Sequence, residues 1–215
     1  RVIIFDNRGT GYSGSSEEEY TIPLFARDTV ALLDSLGLRS ASLLGHSLGA
    51  MIALELTVHY PERVERMVLV SGDCGGDDAV RMSSETRRIL TDKSGSLEEQ
   101  AQRMFTVLFP KDWRDSHDPW DFCPVIYEIT PADQAGRQAA VLSTWKGVCD
   151  RLASVRSSTL VVTGTDDLII PSQNAKILAR KIPGARLVLF QHGGHGLMYQ
   201  FPGAFTAMVV PFLQE

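Results

Sequence analysis

Two spacings of apolar residues alternate along the chain. Short β-rich runs occur at Val2–Asp6, Ala41–Gly45, Arg66–Ser71, Thr159–Gly164 and Arg186–Phe190. Each is continuously apolar rather than alternating, which suits strands buried on both faces. Between them lie stretches with helical spacing. Leu24 to Leu36 stops at Gly37, a good C-cap; Ser47 to Tyr60 stops before Pro61; Gln173 to Ile182 is closed by Pro183-Gly184. Phe201 to Leu213 forms a fourth helix, kinked or ended near Pro211. Strands alternating with helices through short links predict an α/β fold with a doubly wound, mostly parallel sheet of five visible strands.

One segment breaks the rhythm. Asp73 to Ser157 shows no strand pattern and reads as helices near Ser83–Thr91, Leu97–Leu108, Pro119–Ile129 and Ala132–Leu152. It opens on the loop signal Gly72-Asp73-Cys74-Gly75-Gly76-Asp77-Asp78. The predicted organisation is a core of residues 1–72 and 158–215, with residues 73–157 inserted as a helical lid.

Bulk properties narrow the function classes. A chain of 215 residues, 44% hydrophobic and 22% charged, supports one sizeable core. The net charge of -5 gives no footprint for nucleic acid or an anionic membrane. No apolar run approaches the roughly 20 residues that span a bilayer, and no signal-peptide pattern is visible, so a cytoplasmic setting is expected. The three cysteines, Cys74, Cys123 and Cys149, are odd in number and widely spaced without a C-x-x-C. They are expected to be reduced thiols.

Gly9-Thr10-Gly11-Tyr12-Ser13-Gly14 is formally G-x-G-x-x-G after an apolar run. A dinucleotide loop needs a helix opening at the third glycine and an acid ending the next strand. Here Gly14 is followed by Ser15-Ser16-Glu17-Glu18-Glu19, a polar loop whose carboxylates repel a pyrophosphate. The loop is therefore structural, with Arg8 expected to anchor it through an ion pair. No cofactor and no metal is expected.

The chemistry lies further on. Gly45-His46-Ser47-Leu48-Gly49 matches G-x-S-x-G between an apolar strand and a helix. That context defines a nucleophile elbow, a strained turn presenting Ser47 at a helix N-terminus. Side chains at Gly45 and Gly49 are expected to collide with the neighbouring strand and helix. A serine hydroxyl needs a base, and the expected order is Ser, Asp, His. Asp166-Asp167 follows the strand Thr159–Gly164, and His192-Gly193-Gly194-His195 follows Arg186–Phe190. Groups at the carboxyl ends of parallel strands meet at one edge.

These residues carry a family resemblance. D-x-R-G-x-G-x-S at Asp6 to Ser13, G-H-S-L-G at Gly45 to Gly49, G-x-x-D-x-x-x-P at Gly164 to Pro171 and G-G-H-G at Gly193 to Gly196 occur in family order. The chain resembles an α/β-hydrolase of the lid-bearing esterase, lactonase and C–C hydrolase group. The resemblance implies Ser47 as nucleophile, Asp167 as orienting acid, His195 as base, and the Leu48 N–H as one oxyanion donor. Asp166, Asp73 and His192 remain alternative candidates. His46 is read as a packing residue beside the nucleophile, and His59 and His117 as surface or lid residues. The lid would set substrate choice. His46, Trp113, Trp120 and Trp145, with Phe122, Tyr127, Met104 and Phe105, are candidates to line an apolar pocket, against the simpler reading that they pack the lid on the body.

The expected activity is serine hydrolysis of an apolar small-molecule ester, lactone or related carbonyl compound. Cofactor-free perhydrolysis or acyl transfer on the same triad is the alternative, as is a non-catalytic, ligand-sensing relative. The five strands correspond to the fourth to eighth of the family. The first three, and the loop that gives the second oxyanion donor, have no counterpart from Arg1 onward, so this 215-residue form is expected to be weakly active or inactive. A cut from a longer chain, a naturally short form and a complementing second chain each fit that expectation. Val2–Phe5 would pair with Ala41–Leu44 or expose unpaired backbone, offering an edge for homo-oligomer contact.

Overall fold

The computed structural model describes residues 1–123 and 130–215. Four strands form one parallel sheet: β1 (Ala41–His46), β2 (Val64–Val70), β3 (Ser158–Gly164) and β4 (Arg186–Phe190), in the spatial order β1-β2-β3-β4. Helices α1 (Ile22–Ser35), α2 (Leu48–His59), α7 (Gln173–Lys181) and α9 (Pro202–Gln214) flank it. Between β2 and β3 lie α3 (Ser84–Thr91), α4 (Leu97–Leu108), α5 (Lys111–Arg114), α6 (Ala132–Thr144) and 3-10 turns at Pro119–Asp121 and Leu152–Ser154, with no strand among the described residues. The short helix α8 (Leu197–Gln200) precedes α9.

The central strands β2 and β3 are buried on both faces, whereas β1 and β4 at the sheet's two ends are only partly covered. In β2, Val68 and Val70 join Leu160, Val162, Leu197, Val209 and Phe212 on the α9 side. Met67, Leu69 and Val161 point the other way, into the cluster built with α1, α2 and α7. The alternation of a strand therefore divides one apolar run between two cores. Helix α2 is buried continuously from Ala50 to Val58, because α1 and the helical insertion cover its outer side. Burying each Val, Leu or Ile side chain contributes about 1.5–3 kcal/mol.

Helix ends follow local chemistry. Thr21 caps α1 by accepting the Leu24 N–H (3.1 Å), and Gly37, at φ +66°, closes it with Leu38 N–H bonded to the Leu33 carbonyl (2.8 Å). Pro211 does not end α9, which runs through it to Gln214.

Three sequence expectations are corrected. Val2–Asp6 is not a strand, so the sheet has four strands among the described residues rather than five. Val2 and Ile4 are 89% and 90% exposed. Apolar composition shows what a segment can bury, but a strand needs a ladder partner, and this run has none along β1, where Leu44 is 48% exposed. The helix expected over Pro119–Ile129 is a 3-10 turn at Pro119–Asp121, and its remainder from 124 to 129 lies outside the described residues. The cysteines are not all reduced. Cys74 and Cys149, 75 residues apart, are joined in a disulfide with their Cα atoms 4.9 Å apart, and Cys123 is free. The bridge ties the exit of β2 to the end of the insertion, beside a hydrogen bond from Val148 N–H to the Cys74 carbonyl (2.8 Å).

The glycine loop has a structural partner on each side. Arg8 donates to Asp28 of α1 from Nε (2.9 Å) and Nη2 (2.5 Å) and to Ser16 Oγ (3.0 Å). Its carbonyl receives Gln138 Nε2 of α6 (3.0 Å), while Arg137 donates to the Ser16 carbonyl (2.7 Å) and stacks over the Tyr20 ring at 3.8 Å. The loop thus docks α6 onto α1.

Candidate active site

The edge formed by the carboxyl ends of the strands carries the candidate residues. Ser47 sits between β1 and α2 at φ 54° and ψ -118°, a conformation costly for a residue with a Cβ. Its N–H donates to the Val70 carbonyl of β2 (2.9 Å), which fixes the turn to the sheet. Gly45 is required: a Cβ there would strike the Gly49 carbonyl and the Ala50 nitrogen (2.6 Å). Gly49 differs from expectation, since a Cβ there would meet nothing within 4 Å. The turn is tight only on the strand side, so the predicted collision holds for one glycine. Leu48 opens α2. A first-turn N–H has no intrahelical acceptor and points out of the helix end.

Asp167 and His195 are in direct contact. His195 Nδ1 lies 2.9 Å from Asp167 Oδ2 and 3.1 Å from Oδ1, and both residues are buried. Asp167 Oδ1 also accepts the N–H groups of Ile169 (2.9 Å) and Ile170 (2.8 Å). Those two donors fix the plane of the carboxylate. A carboxylate accepts, so Nδ1 carries the proton and Nε2 is left as the basic nitrogen. Among the described residues, the Ser47 hydroxyl makes no hydrogen bond.

His46 joins the elbow to the histidine loop. Its Nε2–H donates to the His195 carbonyl (3.0 Å), and the two rings lie 4.6 Å apart. Burial, then the neighbouring His195, pushes the His46 pKa down to about 4, so the ring is neutral at pH 7. Sequence reasoning treated His46 as a packing residue and missed this bond, for which no local motif exists. The insertion reaches the same loop: Gly196 N–H donates to the Leu108 carbonyl at the end of α4 (3.0 Å).

The alternative acids and base stand elsewhere. Asp166 faces outward, 3.7 Å from His192 Nδ1 and 2.9 Å from Thr165 Oγ1. Asp73 is buried but accepts from Gly75 N–H (2.8 Å), not from a histidine. His59 bonds Glu55 of α2 at 3.1 Å, and His117 stacks on Trp113.

A cavity of about 460 Å³ adjoins this edge. Its wall includes Met51, one turn after Ser47; Ile169 and Ile170, whose N–H groups hold Asp167; and Trp145, Val80 and Leu142 of the insertion. Among the described residues, Trp145 is the one proposed pocket residue that lines it. Trp113 packs against Phe109, His117 and Phe122, and Trp120 packs edge-on against Phe105. These aromatics pack on one another along the insertion with Trp120 and Phe122 still exposed, and His46 contacts the His195 loop instead of the cavity. Tyr127 lies outside the described residues. Trp145 turns its indole N–H to buried Glu55 (2.9 Å) and leaves part of its surface to the cavity. Among the described residues no group of three or more His, Cys, Asp or Glu side chains could hold a metal ion, and no helix is long and apolar enough to cross a membrane.

A parallel sheet with a serine elbow, an acid and a histidine on its carboxyl edge defines a hydrolase fold. The family model described as the alpha/beta hydrolase family matches residues 1–208, and the chain belongs to that family. It is 30% identical over 217 residues to RutD of Caulobacter sp. strain K31, named as a candidate carbamate hydrolase, covering 99% of this chain and 80% of that one. The structure of a hydrolase from Pseudomonas aeruginosa PA01 superposes with a TM-score of 0.71 at 26% identity, over 98% of this chain and 78% of its own. Est816, titled as an N-acyl homoserine lactone degrading enzyme, superposes with a TM-score of 0.73 at 25% identity, over 96% and 80%.

Proposed function

We propose that the chain is a serine hydrolase that cleaves an ester, lactone or related small carbonyl substrate through an acyl-enzyme. The observation that carries this reading is the buried Asp167–His195 pair on the strand edge that also holds Ser47 in a strained turn. His195 Nε2 takes the Ser47 proton as Oγ attacks the carbonyl carbon. Asp167 keeps the proton on Nδ1 and stabilises the imidazolium. The Leu48 N–H, at the positive end of α2, donates to the oxyanion. His195 then protonates the leaving group, and water attacks the acyl-enzyme by the reverse sequence. Neutral His46 keeps a second positive charge away from the imidazolium and holds the His195 backbone.

The helical insertion acts as a lid that walls the substrate cavity through Trp145, Val80 and Leu142. The names of the relatives support carbonyl hydrolysis: one is named for carbamates, another for an acyl lactone. Both substrates present a carbonyl carbon to a nucleophile. The test is turnover of 4-nitrophenyl esters by the purified protein. Hydrolysis that disappears in Ser47→Ala supports the reading, and turnover unchanged in Ser47→Ala removes it.

A further inference from the structure

The cavity beside the triad edge is lined by a buried carboxyl that the triad does not use. Asp73 is 3% exposed, lies three residues past the end of β2, and lines the cavity wall together with Met51, Leu90, Trp145 and Ile170. Its Oδ1 accepts the Gly75 N–H at 2.8 Å. Its Oδ2 accepts no hydrogen bond among the described residues. Burial pushes this carboxyl above the usual aspartate range, against the Gly75 N–H and the field of Arg81. Oδ2 is not enclosed by protein, and with Asp73 on the cavity wall it is open there to a donor from a bound molecule. His195 is already turned to Asp167, so orienting the base does not account for Asp73.

We propose that Asp73 is the specificity-determining residue of this cavity, accepting a hydrogen bond from a neutral donor, a hydroxyl or amide N–H, on the non-reacting part of the substrate. This rests on the hydrolase reading above. The donor is neutral because the cavity wall also carries Arg81 and Arg87. A cationic group would enter past two like charges. Arg81 donates to the Gly76 carbonyl at 2.8 Å, which holds its charge close to the Asp73 loop. A site built to hydrogen-bond such a donor rejects the analogue that lacks it. The remaining wall takes the apolar body of the substrate.

Two arms test this. In the first, Ser47→Ala protein is titrated calorimetrically with hexanamide and 6-hydroxyhexanamide, which reads the cavity without any turnover. The hydroxyl compound binds about tenfold tighter or more, and Asp73→Leu in the same background removes the difference. In the second, wild-type protein is assayed on 4-nitrophenyl hexanoate and its 6-hydroxy, 6-amino and 6-carboxy analogues, and on acetate esters of hexanol and hexane-1,6-diol. A preference for the hydroxyl compound in one of the two series, expressed mainly in KM, is expected. Asp73→Asn, which keeps an acceptor and the shape, retains part of it. Equal binding of the two amides, a preference for the ammonium or carboxylate ester, or a hydroxyl preference that survives Asp73→Leu overturns the proposal. If no ester is turned over while the amides still discriminate, the hydrolase reading fails and the Asp73 site stands.

Discussion

Asp167 holds His195 through a 2.9 Å contact to Nδ1 while its other oxygen is pinned by the Ile169 and Ile170 N–H groups. The acid is thus fixed by backbone on one side and fixes the imidazole on the other. Asp167→Asn keeps the shape but presents an amide that can favour the wrong tautomer. It is expected to lower kcat by on the order of 10⁴-fold. Asp166→Asn, altering an acid turned toward His192 at the surface, is expected to stay within about threefold of wild type. Ester kinetics of the two variants check the assignment, and a larger loss in Asp166→Asn would reverse it.

His46 sets an acid limit on stability. Its pKa is depressed to about 4 in the fold against 6.5 for the free side chain. Between these values the unfolded chain binds the extra proton, so stability is full above about pH 6.5 and falls as pH drops toward 4, by up to about 3 kcal/mol. Asp73 acts with the opposite sign. Its raised pKa favours the fold below the usual aspartate range, and that contribution is lost as pH rises. It offsets part of the His46 effect at the acid end. Thermal melting between pH 7.5 and 4.5 should show a falling Tm in wild type and a shallower fall in His46→Gln. Equal slopes would remove His46 as the cause.

The disulfide closes a loop of about the length of the helical insertion. Cys74 and Cys149 are expected to resist alkylation in native protein without reductant, leaving Cys123 as the labelled thiol. Cys149→Ser should lower stability by about 2–4 kcal/mol. Labelling of all three cysteines in the unreduced, unfolded protein would contradict the pairing.

The elbow should respond differently to its two glycines. Gly45→Ala forces a methyl group onto the backbone of Gly49 and Ala50 and is expected to cost about 2–3 kcal/mol or more. Gly49→Ala meets open space in a helix and is expected to be neutral or stabilising by up to about 1 kcal/mol. Denaturant unfolding of both variants distinguishes them, and equal losses would show that the turn is tight on both sides.

Much of the fold was legible because burial on two faces leaves a plain mark. Val68, Met67 and Leu69 belong to different cores, yet the chain reads them as one apolar run. Val2–Phe5 carries the same mark and is exposed, because an apolar run does not say whether a neighbouring strand exists to pair with it. The meeting of Asp167 and His195 at the strand edge that carries Ser47 was legible through turn chemistry at strand ends, and the G-x-x-D-x-x-x-P pattern of the family resemblance pointed to Asp167 over Asp166. The cavity was not. Met51, Asp73, Arg81 and Ile170 come from separate segments and meet only in the folded chain. The tryptophans carried two readings in the sequence, pocket lining or packing, and Trp113 packs on Phe109, His117 and Phe122, all within ten residues of it. The disulfide was hidden by a separation of 75 residues, which no cysteine spacing rule connects.

The central claim is that Ser47 is a nucleophile activated by His195. It is tested most directly by reacting the folded protein with a fluorophosphonate probe and mapping the adduct by peptide mass spectrometry. The account predicts one rapid adduct on the peptide containing Ser47, absent in Ser47→Ala and slowed by at least a hundredfold in His195→Ala. No adduct, an adduct on another serine, or equal labelling rates with and without His195 would contradict it.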